Sequence, residues 1–245
     1  MRPFSRRHLV AVTPVVVAAA AVLTPETGFG ATTTDLAVSC DAPAAPAVIA
    51  AGRAYRERTG VRVRVFPTPP GLVLPQLERE IQNDIIVTQI ATIEAAERVG
   101  LVQPGGRVGP WRNRLVTAAM AQPSGVNGSF VVPDASPGSD IDGGAVLRRM
   151  GIPTGAVLGV IDTGAVAWTL TNGGARQGLL HQTEVRADER LRVVSPVPDE
   201  AWPPILYAAT VTKLARRGDP GAFVAFLGSP AGLAVLRSSG LESVA

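Results

Sequence analysis

Few residues in this chain have side chains suited to covalent or metal chemistry. Outside residues 1–30 the sequence holds one histidine, His181, and one cysteine, Cys40. A Cys–His pair, or a Ser–His–Asp set built on His181, would supply an activated nucleophile. No G-x-S-x-G elbow, phosphate-binding G-x-x-x-x-G-K-[ST] loop or H-E-x-x-H motif accompanies them. One His and one Cys are too few for a nitrogen–sulfur metal cage, and Asp134, Asp140 and Asp142 would hold a hard cation only weakly. Catalytic residues, a metal centre and cofactors are therefore not expected, and a hydrolase using His181 is the remote alternative. Non-covalent binding is the chemistry the residues suit. Polar and turn-forming residues gather in three loops, at 41–43 (DAP), 67–71 (PTPPG) and 133–144 (PDASPGSDIDGG). The acidic third loop would suit a cation or an amine, and ordinary turn formation and helix capping account for its Asp and Ser residues equally.

The elements around these loops decide what the loops face. Residues 35–40 (DLAVSC) form a continuous apolar run, as a buried strand does, and residues 44–58 read as a helix closed by Gly60. Residues 61–66 (VRVRVF) alternate, as a strand with one solvated face should. A helix over 72–82 tolerates Pro75 only in its first turn, a buried strand follows at 84–88 (DIIVT), and a helix at 93–99 ends at Gly100. This β-α-β-α-β-α order predicts a parallel sheet covered by helices. Ligands of such sheets sit at the C-terminal strand ends, beside helix N-termini. Loops 41–43 and 67–71 occupy those places.

Residues 103–111 (QPGGRVGPW) read as a connection to a second unit, which starts at 115–119. Strands at 129–132 and 177–180, and helices at 145–150 and 163–171, are expected there. From Arg192 a strand, a Pro-rich turn, a second strand and two helices follow. Asp219-Pro220 and Ser229-Pro230 each place a capping side chain before a proline, and Gly240 closes the last helix. Cys40 reads as a small buried hydrophobe at the end of the first strand.

Residues 1–30 have the composition of a signal peptide. Arg2, Arg6 and Arg7 precede an apolar stretch over 10–23, and small residues at Gly28 and Gly30 suit cleavage before Ala31. Ser5-Arg6-Arg7-His8-Leu9 resembles a twin-arginine export motif, with a general secretory leader as the alternative. The formal net charge of +3 is concentrated in that leader, and without it 20 basic residues face 19 acidic ones. The remaining arginines are scattered, so no nucleic-acid partner is expected.

The order Asp199, Pro203-Pro204-Ile205, Tyr207, then Asp219-Pro220, Ala222, Phe226-Leu227, Ser229-Pro230, Gly232, Leu236 and Gly240 resembles the end of the periplasmic molybdate-binding proteins, solute-binding subunits of ABC importers. Phe66, Gln76-Leu77-Glu78, Asp84-Ile85-Ile86-Val87-Thr88, Asn113-Arg114-Leu115-Val116, Val132-Pro133-Asp134 and Gly178-Leu179-Leu180-His181 extend the resemblance over about 35–245. The resemblance implies an α/β, type II periplasmic binding-protein fold of two lobes, each a mostly parallel sheet flanked by helices. Lobe 1 would take residues 31–110 and 191–245, and lobe 2 residues 111–190.

It further implies a small ligand or oxyanion (molybdate or tungstate in the family) held between the lobes by neutral donors. An inner-membrane ABC permease would be the partner, and a monomer in the periplasm the functional form. The family's first-loop serine falls at Pro43, its second-loop serine among Thr68, Pro69, Pro70 and Gly71, its valine contact near Thr163, and its tyrosine at His181. Proline has neither N–H nor hydroxyl, and Asp41 would repel an anion. The expected ligand contacts are Asp41, Pro43, Thr68, Gly71, Ser139, Thr163 and His181. An orphan or sensory binding protein of the same fold, for a non-oxyanion ligand, is the alternative.

Overall fold

The computed structural model describes residues 35–122, 129–135, 139 and 141–244. The expected leader and Asp140 lie outside the described residues. Strand β1 (Leu36–Asp41) is buried at every position, as its unbroken apolar run demands. It is flanked in parallel by β2 (Val63–Thr68) and β3 (Ile85–Gln89). Helices α1 (Ala45–Thr59), α2 (Val73–Glu78) and α3 (Ile90–Arg98) follow these strands in turn. The expected succession of strand and covering helix is present here, and α2 stops four residues short of its expected end.

The sheet continues in the opposite sense. The stretch expected to be only a connection contains β4 (Val108–Asn113), which pairs antiparallel with β10 (Ile205–Val211) and β11 (Leu241–Ser243). The complete order is β11-β4-β10-β3-β1-β2. A second sheet, β7-β6-β8-β5-β9, contains β5 (Leu115–Met120), β6 (Phe130–Pro133), β7 (Val157–Val160), β8 (Gln177–His181) and β9 (Leu191–Pro196). Its core β7-β6-β8 is parallel, and β5 runs antiparallel between β8 and β9. Each sheet is thus a three-stranded parallel core extended by antiparallel strands. Helices α4 (Gly143–Arg149), α5 (Thr163–Thr171) and α6 (Gln182–Ala187) accompany the second sheet, and α7 (Pro220–Gly228) and α8 (Pro230–Ser238) accompany the first.

The chain crosses between sheets twice, at Arg114 and over residues 197–204. These crossings correct the expected boundaries. Residues 111–113 stay in the first sheet because β10 and β11 supply their backbone partners, and 191–196 stay in the second because β5 pairs with them.

Packing of the first sheet is dominated by large side chains from both ends of the chain. Trp111, Tyr207 and Phe223 are fully buried beside β1, and Tyr55 meets Phe223 edge-on at 5.1 Å between ring centroids. The two C-terminal helices start where their sequences say. Asp219 accepts from Ala222 N at 3.0 Å and Ser229 from Gly232 N at 3.1 Å, each satisfying an N-terminal donor that the helix cannot. Gly232 lets the second helix turn back on the first. A Cβ there would lie 2.0 Å from Phe226 O, so no other residue fits without moving the backbone.

Candidate functional site

A cleft opens between the sheets, where β2 and β3 end. About 610 Å³ in volume, it is walled by Pro70 and Gly71 after β2, by residues 89–92 at the start of α3, by Ser139, and by residues 202–206 of the second crossing. Gly71 has φ +81, a left-handed conformation that glycine adopts without Cβ strain, and it turns the β2–α2 loop past the cleft. Helix α3 starts at the cleft wall with no side-chain cap and no acidic residue in its first turn. Its first N–H groups, which no preceding helical turn can satisfy, present positive partial charge there. None of the residues lining the cleft is charged.

Of the seven expected contacts, only Gly71 and Ser139 line this cleft. The Ser139 hydroxyl turns into its own loop, donating to Ile141 O at 3.0 Å. Asp41 stands directly behind the cleft wall and is 1% exposed. Its carboxylate accepts from Thr88 Oγ1 at 2.7 Å and from the Gln89 N–H at 3.2 Å. It therefore ties the end of β1 to the end of β3 and fixes the residue from which α3 departs. Burial, and secondarily the Asp41 charge, push the neighbouring Cys40 thiol well above its ordinary pKa. That thiol donates to Asp41 O at 3.4 Å, in the first sheet, while His181 ends a strand of the second.

Thr68 is also buried. Its hydroxyl shares a 2.9 Å hydrogen bond with Ser39 Oγ, which in turn lies 3.2 Å from its acceptor Gln76 Oε1. The polar chain braces β1, β2 and α2 from inside. Pro43, Thr163 and His181 converge on the start of α6. The Pro43 carbonyl accepts from Asn113 Nδ2 at 3.2 Å and from Thr183 Oγ1, so the first loop is bonded to both a crossing strand and the second-sheet unit. Asn113 Nδ2 also donates to Thr183 Oγ1 at 3.0 Å. Next to Thr183, the Glu184 carboxylate accepts from Thr163 Oγ1 at 2.5 Å and from the His181 N–H at 2.9 Å, and lies 3.1 Å from His181 Nδ1. His181 has no solvent exposure.

Asn113, Thr183, Glu184 and Gln89 are thus the organising residues that the sequence reading passed over. Glu184 had a visible signal, since a Glu three residues beyond a strand end is half of a capping box. The others act through tertiary contacts with no local pattern. In the acidic third loop, Asp142 caps α4 by accepting from Ala145 N at 2.8 Å. Among the described residues no three His, Cys, Asp or Glu side chains group as a metal site would require.

Two mixed sheets exchanging strands through paired crossings, with a cleft between them at strand ends, define a two-lobed binding protein. The profile of the bacterial extracellular solute-binding proteins matches residues 36–242, and the chain belongs to that family. No curated protein matches the sequence. Among solved structures, the periplasmic molybdate-binding protein of Azotobacter vinelandii superposes with a TM-score of 0.71 at 15% identity, covering 86% of this chain and 100% of that one. Iron-bound HitA from Pseudomonas aeruginosa gives 0.56 at 14% identity, with 84% of each chain covered. The spermidine/putrescine transporter substrate-binding protein PotD from Streptococcus pneumoniae gives 0.55 at 13%, covering 84% of this chain and 82% of that one. At such identities the likeness is one of fold, of the type II binding-protein kind.

Proposed function

We propose that this chain is the exported solute-binding subunit of an ABC importer and that it takes a small anion in the cleft between its sheets. The leader would be cleaved near Gly30, the monomer would work in the periplasm, and an inner-membrane permease would receive the ligand. The observation that carries the ligand class is the start of α3. This nine-residue helix presents uncapped N–H groups to a cleft whose lining bears no charge. Oriented N–H dipoles stabilise an anion without a buried counter-ion. The cleft also combines apolar walls from the Pro-rich crossing with few polar groups, as small-molecule sites do. Of the expected contacts, Gly71 and Ser139 belong to this reading directly. Asp41 supports it by holding Gln89, and Thr68 by bracing β1 against β2. Pro43 ties the first loop to Thr183 of the second-sheet unit, and Thr163 and His181 hold Glu184 beside it.

Calorimetry tests this. Molybdate, tungstate, sulfate and phosphate are titrated into the mature chain, followed by spermidine and divalent cations. One oxyanion is expected to bind with one-to-one stoichiometry. Replacing the exposed cleft residue Ala91 with tryptophan should abolish that binding while leaving the fold unchanged. Binding of spermidine or a cation alone would overturn the anion assignment. Saturable oxyanion binding that survives Ala91→Trp would remove the site from this cleft.

A further inference from the structure

A second pocket lies where helices of the two units meet, and it shares no lining residue with the cleft. About 410 Å³ in volume, it is walled on one side by α1, whose Pro46, Ile49, Ala50 and Arg53 fall at the i, i+3, i+4, i+7 spacing of a single helix face. Thr183, Arg186 and Ala187 of α6 form the opposite wall, and Ser238 and Ser239 at the end of α8 close it. Two guanidinium groups therefore line one small pocket, one from each unit, and no carboxylate lines it.

Neither arginine has an ion-pair partner among the described residues. The acidic residues flanking Arg186 are committed elsewhere. Glu184 holds Thr163 and His181, and Asp188 is paired with Arg190 through contacts of 2.9 and 2.7 Å. The Arg190 hydrogen bond also holds the Asp188 carboxyl below its ordinary range, which keeps that partnership intact at neutral pH. The carbonyls of Val235, Leu236 and Arg237 near the end of α8 are likewise taken, by the N–H groups of Ser239 and Gly240. The Ser239 hydroxyl makes no hydrogen bond among the described residues.

We infer that this pocket binds a small multivalent oxyanion, bridged by Arg53 of α1 and Arg186 of α6. The planar fork of each guanidinium matches an oxyanion with two parallel hydrogen bonds. Half-buried Ile49 and Ala50 give the pocket an apolar side. Ser239 Oγ supplies a neutral donor at the rim. Because the two arginines belong to different units, the bound anion touches both, and its affinity reports their relative position.

Pyrophosphate, titrated by calorimetry at constant ionic strength, tests the inference. The background is Ala91→Trp, which blocks the main cleft and keeps the two sites separable. Saturable one-to-one binding is expected, weakened about tenfold or more by Arg53→Gln and by Arg186→Gln, the loss of a charge-assisted contact in each case. Both arginines are exposed, so neither variant threatens folding. Absence of saturable binding in the Ala91→Trp protein overturns the inference, whatever the main cleft binds in the wild type. Affinity unchanged from the Ala91→Trp protein in either arginine variant overturns it as well.

Discussion

Asp41→Ala separates a structural carboxylate from a ligand contact. In the folded chain this side chain is 1% exposed and accepts two hydrogen bonds, at 2.7 Å from Thr88 Oγ1 and 3.2 Å from the Gln89 N–H. Hydrogen bonds to a charged group contribute about 1.5–3 kcal/mol each, and the longer one belongs at the low end. Removing the acceptor leaves the buried Thr88 hydroxyl and the half-buried Gln89 N–H without it, while relief of the carboxylate's desolvation offsets part of the loss. The net expectation is a destabilisation of about 2–4 kcal/mol. With a urea m-value of about 3 kcal/mol/M, at the upper end for a chain this long, the unfolding midpoint falls by about 1 M. Urea titration followed by circular dichroism measures it, and a Thr88→Val cycle should show the two residues coupled. A midpoint within about 0.2 M of the wild type, well under 1 kcal/mol at that m-value, combined with loss of ligand affinity would refute the reasoning. It would return Asp41 to the role of ligand contact.

Other expectations test the scaffold. The raised Cys40 pKa keeps the buried thiol neutral. The stability this represents is complete below the ordinary thiol pKa and declines as pH climbs from there toward the folded value, because the unfolded chain ionises first. Cys40→Ala should flatten that alkaline decline, and a thiol reagent should label the native protein only at the rate of opening. Gly232→Ala forces a Cβ to within 2.0 Å of Phe226 O and should abolish a well-packed α7–α8 pair, read as loss of near-ultraviolet dichroism or of soluble yield. Ser229→Ala removes the cap on Gly232 N together with the 2.7 Å hydrogen bond that the same hydroxyl donates to Phe226 O, and should cost about 1–2 kcal/mol in the same urea assay. For Asp188, whose carboxyl is held low first by the Arg190 side-chain hydrogen bond, Arg190→Ala should raise the pKa read by NMR. The pair's stabilising effect is present above the ordinary carboxylate range and fades as pH falls through the depressed folded value.

Local signals located the elements that own such signals. Asp219-Pro220 and Ser229-Pro230 announced two helices because a cap and a proline act on the adjacent backbone alone. The apolar runs at β1 and β3 are central strands, buried on both faces, and composition suffices to mark them. Strand β4 was hidden because Pro110 and its neighbouring glycines read as a connection, and only pairing with β10 and β11 makes it a strand. Strand β7 is four residues long with two exposed central positions, and α6 has six residues, too few for a period to show. The same limit governs the site. Strand-end position pointed to the loops that carry Asp41 and Gly71; Gly71 lines the cleft and Asp41 stands behind its wall. The partners that turn Asp41, Thr68 and His181 inward are Thr88, Ser39 and Glu184, and the first two reach across the sheet in ways no spacing encodes.

The first sheet has an implication for the order in which this protein is made. Its strand β4 is bordered by β10 and β11, and Arg114 meets Glu242 across 128 residues of sequence. A growing chain emerging from the ribosome therefore holds β3 and β4 without the neighbours that complete them until β10 and β11 follow. All five strands of the second sheet, by contrast, fall within one continuous segment that emerges earlier than those neighbours. Completion of the first sheet waits on β10 and β11, which are translated after every strand of the second sheet, so its non-local pairings form late.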